Sequence, residues 1–284
     1  MIINRTLRIV AIVAIVLITI IAIQGCIRYY DLHYNQEKIY DTWGSLTSTE
    51  DWEKAQPLPK NLDASWLATE KKDGIYYIAH ALGGAETPTS NTYSAFLASK
   101  MQGIKLYEVD VFLDDRGFLR CHHGPSNPSS LTKTSCTLDS LLPMIDKIGG
   151  YAILDIKTDF RITGDKVLKL IKSNHLSQIV IFQLYSPDEL AWFASNAQLV
   201  KLPTPIITVY KSKRSANHIA NNAKSLNIEV LTVPFKRLPS MKNIRNVKLF
   251  THPIHTCQDW AKTNYDLKIS GIYALSSTDI SKCN

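Results

Sequence analysis

The stretch Gly150 to Tyr185 reads "GYAILDIKTDFRITGDKVLKLIKSNHLSQIVIFQLY". Two short apolar runs, "GYAILDIK" and "IVIFQLY", enclose an amphipathic segment whose apolar residues recur at helical spacing. Strands that are almost continuously apolar and alternate with helices are typical of a parallel sheet covered by helices. The stretch therefore predicts a strand, a helix and a second strand parallel to the first.

The same alternation continues on both sides of this unit. Helical candidates such as "NTYSAFLASKMQG", "TLDSLLPMIDKIGG" and "SPDELAWFASN" lie between further apolar runs. Those runs are "IYYIAHAL", "KLYEVDVFL", "TPIITVY", "IEVLTVPF", "VKLFTHPI" and "SGIYAL". Eight strands in about 210 residues favour a closed barrel over an open sheet. The fold class is therefore α/β, a (β/α)8 TIM barrel over residues 75–284.

The N-terminus predicts export. Arg5 and Arg8 precede an uncharged run from Ile9 to Ile27, the arrangement of a secretory signal or of an anchor just long enough to span a bilayer. "IQGC", ending at Cys26, also resembles a bacterial lipoprotein cleavage box, so lipidation and an uncleaved helix remain alternatives. Both make residues 1–28 a signal or anchor segment. Residues 29–74 would then form a stalk or an extension that packs on the barrel.

This N-terminus predicts a membrane-tethered protein whose bulk lies outside the cytoplasm, on the periplasmic or cell-surface side. Four cysteines remain after Cys26, an even number that suits an oxidising compartment. Proximity along the chain favours the pairs Cys121 with Cys136 and Cys257 with Cys283. Free buried thiols are the alternative.

The overall charge argues against a nucleic-acid partner. The chain carries 32 Lys and Arg against 25 Asp and Glu, a formal net charge of +7. These charges are spread along the sequence, and no alternation of basic and aromatic residues accompanies them. A mild basic excess suits anionic surfaces or phosphates.

Polar side chains mark the predicted strand ends, where TIM barrels carry their active sites. Glu108 and Asp110 share one strand face because side chains alternate with period two, and Asp155 and Lys157 do the same on another strand. Three carboxylates in one pocket repel one another unless a cation neutralises them. Oxygen ligands favour Mg2+ or Ca2+. Glu108, Asp110 and Asp155 are therefore the predicted ligands of one divalent cation.

Histidines at the same predicted barrel mouth are suited to proton transfer, because imidazole titrates near neutral pH. His80 ends the first run, and "CHHG" supplies His122 and His123, which point to opposite faces. A cation that polarises a phosphoryl oxygen beside two such imidazoles is a phosphodiesterase site. His252 and His255, after a later run, are expected to form hydrogen bonds at the rim.

The ordered set of motifs resembles the glycerophosphodiester phosphodiesterase superfamily over residues 75–274. The motifs are "IAHALGG", "SNTYSAF", "YEVDVFL", "GFLRCHHG", "LDIK", "IFQLYSPDEL", "FTHPIHT" and "SGIYA". The resemblance implies a TIM barrel, with His80 and His123 as catalytic residues and Lys157 as a phosphate contact. It also implies Glu108, Asp110 and Asp155 as metal ligands. His123 is chosen over His122 because the family places this histidine six positions after the glycine that is here Gly117.

Three positions depart from the family pattern. Ala81 replaces an arginine that helps hold phosphate, Ser90 replaces an acid, and Gly124 replaces the aspartate after the second histidine. These changes spare the predicted metal ligands and proton-transfer groups but put the ordinary glycerol substrate in doubt. Lys157 has an alternative role as a plain ion-pair partner of Asp155.

The sequence thus predicts a metal-dependent hydrolase of glycerophosphodiesters or related phospholipid headgroup esters. Its partners would be a small-molecule or lipid phosphodiester and, through the N-terminus, a membrane. A phospholipase D-like or C-like lipid hydrolase of the same fold is one alternative. A barrel without catalysis that binds a phosphorylated envelope component or a partner protein is another.

Overall fold

A closed parallel barrel forms the body of the protein. The computed structural model describes residues 51–72, 74–84, 90–124, 136–209, 215–241, 244–263, 269–275 and 283. Its strands are β1 (Tyr76–Ala79), β2 (Leu106–Leu113), β3 (Leu119–Cys121), β4 (Tyr151–Ile156), β5 (Val180–Leu184), β6 (Ile206–Thr208), β7 (Val230–Pro234), β8 (Lys248–Ile254) and β9 (Gly271–Ala274). Eight of them pair in parallel in the order β1-β2-β4-β5-β6-β7-β8-β9, and β9 pairs back onto β1. All eight predicted apolar runs are confirmed as barrel strands.

Helices connect most of these strands, as predicted. They are α1 (Tyr93–Met101), α2 (Leu138–Lys147), α3 (Phe160–Ser173), α4 (Pro187–Val200), α5 (Ala216–Ser225) and α6 (Cys257–Thr263). The helix α3 begins at Phe160, because the Asp159 side chain accepts a hydrogen bond from the N–H of Ile162 and caps the helix there. Between β7 and β8 the connection is a 3-10 helix, Phe235–Met241, that contains Pro239.

The barrel interior is built in layers by the period-two alternation of its strands. At the N-terminal ends of the strands, the inward residues are apolar and pack around the fully buried Trp66. This layer comprises Tyr76, Ile78, Leu106, Ile153, Ile181, Ile206, Val230, Phe250 and Tyr273. The alternate residues of the same strands face the helices and form the larger core. The inward positions beyond the apolar layer are polar, which places the candidate site at the opposite, C-terminal end.

The residues just before β1 pack against the barrel. Trp66 lies on the 3-10 helix Ser65–Ala68, and its indole N–H donates to the carbonyl of Thr204 at 3.1 Å. Leu58 is also buried, and its N–H donates to the carbonyl of Leu226. The signal or anchor segment predicted for residues 1–28 lies outside the described residues. Among the helices that are described, none combines the length and the hydropathy needed to cross a bilayer.

Two disulfides match the pairing favoured by the sequence. Cys121 is bonded to Cys136, and Cys257 is bonded to Cys283. The first bond joins Cys121, at the end of β3, to Cys136, which immediately precedes Thr137, the N-cap residue of α2. It therefore fixes the chain just before His122 and His123. Buried free thiols, the alternative, are excluded for these four residues.

Candidate active site

Three buried carboxylates meet at the C-terminal ends of neighbouring strands. Asp110 on β2 is directly opposite Asp155 on β4 in the parallel register, and Glu108 lies two residues before Asp110 on the same face. Each side chain offers an oxygen within 4.8 Å of the others. All three residues are no more than 3% exposed. This is the cluster that the sequence predicted.

Glu108 is oriented by an unusual turn of the backbone. After β1 the chain enters the left-handed region at Ala81 (φ 47°) and Leu82 (φ 65°), a conformation that costs energy for residues with a side chain. The turn directs the N–H of Ala81 to Oε2 of Glu108 at 2.6 Å. Burial, with Asp110 and Asp155 close by, raises the pKa of Glu108 well above its usual value. Without a cation, ionisation of this carboxyl group is therefore costly.

Asp110 is held by an asparagine that sequence reasoning missed as a site residue. The amide of Asn91 donates to Oδ2 of Asp110 at 2.6 Å, and the N–H of Asp110 donates back to Oδ1 of Asn91 at 3.0 Å. Burial acts to raise the pKa of Asp110, but Lys157, His123 and the bond from Asn91 outweigh burial and hold that pKa below its usual range. Asn91 is completely buried immediately before the Thr92 cap of α1. In the sequence, the motif "SNTYSAF" is the only feature that draws attention to Asn91.

Asp155 accepts several hydrogen bonds on Oδ2. Lys157 Nζ lies 2.6 Å away, the hydroxyl of Tyr185 lies 2.7 Å away, and the amide of Gln183 lies 3.3 Å away. Gln183 in turn accepts a hydrogen bond from the hydroxyl of Tyr273 at 2.7 Å. Gln183 and Tyr185 therefore both support Asp155.

His80 stands beside Glu108 within a group of three imidazoles. Its Nε2 atom lies 3.7 Å from Oε2 of Glu108, and its Nδ1 atom lies 2.9 Å from Nε2 of His255. The His252 ring packs edge-on against His80, with the centroids 4.3 Å apart. Burial, and then the neighbouring histidines, lower the pKa of His80 well below its ordinary value, and the same causes act on His252. These rings are therefore neutral at physiological pH.

His122 and His123 have different surroundings. His122 packs against Phe112, and its Nδ1 accepts a hydrogen bond from the N–H of Gly124 at 3.1 Å. His123 lies close enough to Asp110, Asp155 and Lys157 for their charges to act on its pKa, which burial lowers overall. The structure thus brings together every residue that the sequence assigned to the site.

The donor set is suited to a divalent cation. Oδ1 of Asp110 is buried and receives no hydrogen bond from the described residues, although Lys157 Nζ lies 3.0 Å away as an ion-pair partner. A buried carboxylate oxygen in this state is a ready ligand for a hard cation. Glu108, Asp110 and Asp155 can therefore hold one ion together.

Several solved structures with a similar fold are phosphodiesterases. A glycerophosphodiester phosphodiesterase from Parabacteroides distasonis matches with a TM-score of 0.56 and 16% identity, over 72% of this chain and 94% of that chain. A phosphodiesterase from Oleispira antarctica, solved with the product sn-glycerol-3-phosphate, matches with a TM-score of 0.54 and 17% identity, over 73% and 95%. This chain has the fold of the glycerophosphodiester phosphodiesterases. The resemblance that the motifs predicted is confirmed at the level of the fold.

A third structure of this fold supports the same conclusion. The glycerophosphodiester phosphodiesterase from Thermotoga maritima matches with a TM-score of 0.51 and 16% identity, over 72% of this chain and 96% of that chain. No protein-family signature matches the sequence, and no curated protein matches it. The fold of the glycerophosphodiester phosphodiesterases is thus carried here by a sequence that has diverged far from these structures.

Proposed function

We propose that this protein is a metal-dependent phosphodiesterase that acts on glycerophosphodiesters or related phospholipid headgroup esters. One observation carries the proposal. Three buried carboxylates, a lysine and two histidines converge at the C-terminal mouth of a barrel, where this fold class has its active sites. The similar Oleispira antarctica structure holds the product of such a reaction, sn-glycerol-3-phosphate.

The roles proposed for the individual residues follow from their surroundings. Glu108, Asp110 and Asp155 would hold the cation, which supplies a positive charge that polarises a phosphoryl oxygen. Lys157 has an ammonium group at the centre of this cluster and would bind a phosphate oxygen. His80 and His123 would move protons, one as the base toward the attacking hydroxyl and the other as the acid toward the departing alcohol.

Neutral histidines suit the role of a base. Burial and the neighbouring His255 hold the pKa of His80 well below its ordinary value, so the ring keeps a lone pair at neutral pH. The hydrogen bond between Nδ1 of His80 and Nε2 of His255 fixes the ring while Nε2 of His80 faces the site. This arrangement favours His80 as the proton acceptor.

The proposed location is outside the cytoplasm, with a tether at the N-terminus. Two disulfides within the barrel domain suit an oxidising compartment. Arg5 and Arg8 before the uncharged run to Ile27 supply the proposed signal or anchor. Phospholipid headgroup esters and their deacylated products are both within reach of a tethered enzyme.

A substrate screen on the full-length chain tests the proposal. We expect hydrolysis of bis(p-nitrophenyl) phosphate and glycerophosphocholine that a chelator abolishes and that Mg2+ or Ca2+ restores. His80→Ala and Glu108→Ala should each remove it. Glu229→Ala, which removes an exposed carboxylate elsewhere on the barrel, serves as the control. Undiminished turnover in both site variants would reject the proposal, and release of choline rather than phosphocholine would identify a D-type cut.

A further inference from the structure

A second donor set lies next to the acidic cluster and differs from it in chemistry. His80, His252 and Glu108 each offer a ligand atom, and these three atoms lie within 4.8 Å of one another. Two of the three donors are imidazole nitrogens, which suit zinc and similar metals better than Mg2+ or Ca2+. Glu108 belongs to both sets.

The distance between His80 and Glu108 is that of two ligands of one ion and is too long for a hydrogen bond between the two side chains. Nε2 of His80 is 3.7 Å from Oε2 of Glu108, beyond hydrogen-bond distance. Bonds of about 2.1 Å to zinc would put two tetrahedral ligand atoms about 3.4 Å apart. His252 packs against the same ring, and one of its ring nitrogens lies within 4.8 Å of the ligand atoms of His80 and Glu108.

The other face of His80 carries the support that metal-binding histidines typically have. Nδ1 of His80 lies 2.9 Å from Nε2 of His255, so a proton on Nδ1 can be donated there while Nε2 stays free to bind a metal. His255 is itself anchored, because its N–H and that of Thr256 donate to Oδ2 of Asp259 at the start of α6.

We propose that His80, His252 and Glu108 form a second cation site, selective for borderline transition metals of the Zn2+ class, which shares Glu108 with the acidic site. An ion there takes up the Nε2 lone pair that His80 needs as a base. Zinc at this site therefore inhibits the hydrolysis. The inhibition rests on the proposed function, whereas the binding site does not.

Cobalt binding tests the site without any substrate. The metal-free full-length chain is held in excess Mg2+ to fill the acidic site and is titrated with Co2+, whose visible absorption reports nitrogen ligation. We expect one equivalent to bind and Zn2+ to displace it. His252→Ala and the larger His252→Gln should each weaken Co2+ binding at least tenfold. His175→Asn is the matched control, because it removes an exposed imidazole at a left-handed position that asparagine tolerates.

A variant of the acidic site separates the two locations. Asp155→Asn removes a ligand of the acidic cluster and leaves the histidine set intact, so it should keep Co2+ binding. Loss of binding in Asp155→Asn but not in the His252 variants would overturn the proposal, as would equal binding in every variant. Thermal melting of each variant checks that it is folded. If the His252 variants fail to fold, anomalous scattering from a Zn2+-loaded crystal of the full-length chain decides whether the ion lies between His80 and Glu108.

Inhibition provides the second readout. In the wild type, Zn2+ should inhibit the Mg2+-supported hydrolysis of bis(p-nitrophenyl) phosphate, and His252→Gln should need at least tenfold more Zn2+ for the same fractional loss. Cobalt binding in a chain that hydrolyses none of the phosphodiesters tested would reject the proposed function and keep the site. Hydrolysis by a chain that binds no nitrogen-ligated Co2+ would reject the second cation site and keep the proposed function.

Discussion

The ammonium nitrogen of Lys157 lies 3.0 Å from Oδ1 of Asp110, the buried oxygen that receives no hydrogen bond from the described residues. Lys157 also donates to Asp155 at 2.6 Å, so it links two of the proposed metal ligands. A positive charge in this place partly neutralises the carboxylates that a cation would bind. A cation bound at the proposed site would therefore compete with the lysine for the same oxygens and would free the lysine for the phosphate.

This competition predicts opposite effects of Lys157→Met on binding and on turnover. Loss of the charge should tighten Mg2+ or Ca2+ binding at least about tenfold, since charges this close interact by several kcal/mol even near a protein surface. The loss of a phosphate contact should lower kcat/KM. Calorimetric titration and steady-state kinetics measure the two effects, with the exposed Lys169→Met as the control. Weaker cation binding in Lys157→Met would contradict the competition.

The two adjacent histidines are expected to respond differently to substitution. The charges of both Asp110 and Asp155 act on His123, whereas only that of Asp110 acts on His122, which packs on Phe112 and bonds to the backbone of Gly124. His123→Ala should lower kcat by about 100-fold or more, the usual contribution of a general acid. His122→Ala should retain most of the activity. Comparable losses in both variants would place His122 in the chemistry as well.

Much of this arrangement could be predicted from the sequence, because it depends on periodicity. Period-two alternation places Glu108, Asp110, Asp155 and Lys157 inside the barrel once the strands are recognised, and the apolar runs define those strands. The same reasoning explains why Cys121 and Cys136 could be paired, since they are close along the chain and flank one loop.

What the sequence could not predict depends on contacts between distant segments. Asn91 supports Asp110 across 19 residues, and His255 supports His80 across 175 residues. Neither position has a periodic signal, because each lies just beyond a strand or before a helix, where the side-chain direction is set by the local turn. The left-handed backbone at Ala81 could not be predicted either, since nothing in "IAHALGG" indicates a positive φ at that alanine.

The disulfide next to the paired histidines is expected to support both stability and catalysis. It closes 15 residues between β3 and α2, a loop length for which cross-linking stabilises a fold by about 3 kcal/mol. Cys121→Ser with Cys136→Ser should lower the free energy of unfolding by about that amount and should reduce kcat, because His123 follows β3 directly. Urea unfolding and kinetics measure the two effects. The Cys257–Cys283 bond remains in this variant, so an unchanged unfolding midpoint would contradict the expectation.

Trp66 should contribute to stability without contributing to the chemistry. It fills the N-terminal end of the barrel, away from the carboxylates, and packs edge-on against Phe250 at 6.1 Å. Trp66→Ala should destabilise the protein by about 3–5 kcal/mol, as large-to-small changes in a core do. Urea unfolding measures this, with Leu199→Ala as the control because Leu199 is 79% exposed. A large loss of kcat in folded Trp66→Ala protein would mean that the two ends of the barrel are coupled.

Asp114 gives a prediction about stability and pH outside the site. It accepts hydrogen bonds from the N–H groups of Arg116 and Phe118 and from the guanidinium of Arg120 in the β2–β3 hairpin. Burial acts to raise its pKa, but these partners outweigh burial and lower the pKa below its ordinary value. A lowered carboxyl pKa means that the folded state holds the ionised form more strongly than the unfolded state does. The resulting stability is complete above the unfolded pKa of about 3.9 and is lost as the pH falls through the folded pKa.

Asp114→Asn should therefore lower the free energy of unfolding by about 1–2 kcal/mol at pH 7, because a charged acceptor of several hydrogen bonds is replaced by a neutral one. The difference from the wild type should shrink as the pH falls below about 4, where Asp114 begins to protonate in the unfolded wild-type chain but not yet in the folded protein. Urea unfolding of both proteins at a series of pH values measures this difference. Asp115→Asn, the exposed neighbour, is the control and should match the wild type throughout. A difference that stayed constant from pH 7 to pH 3 would show that the contribution of Asp114 does not depend on its charge.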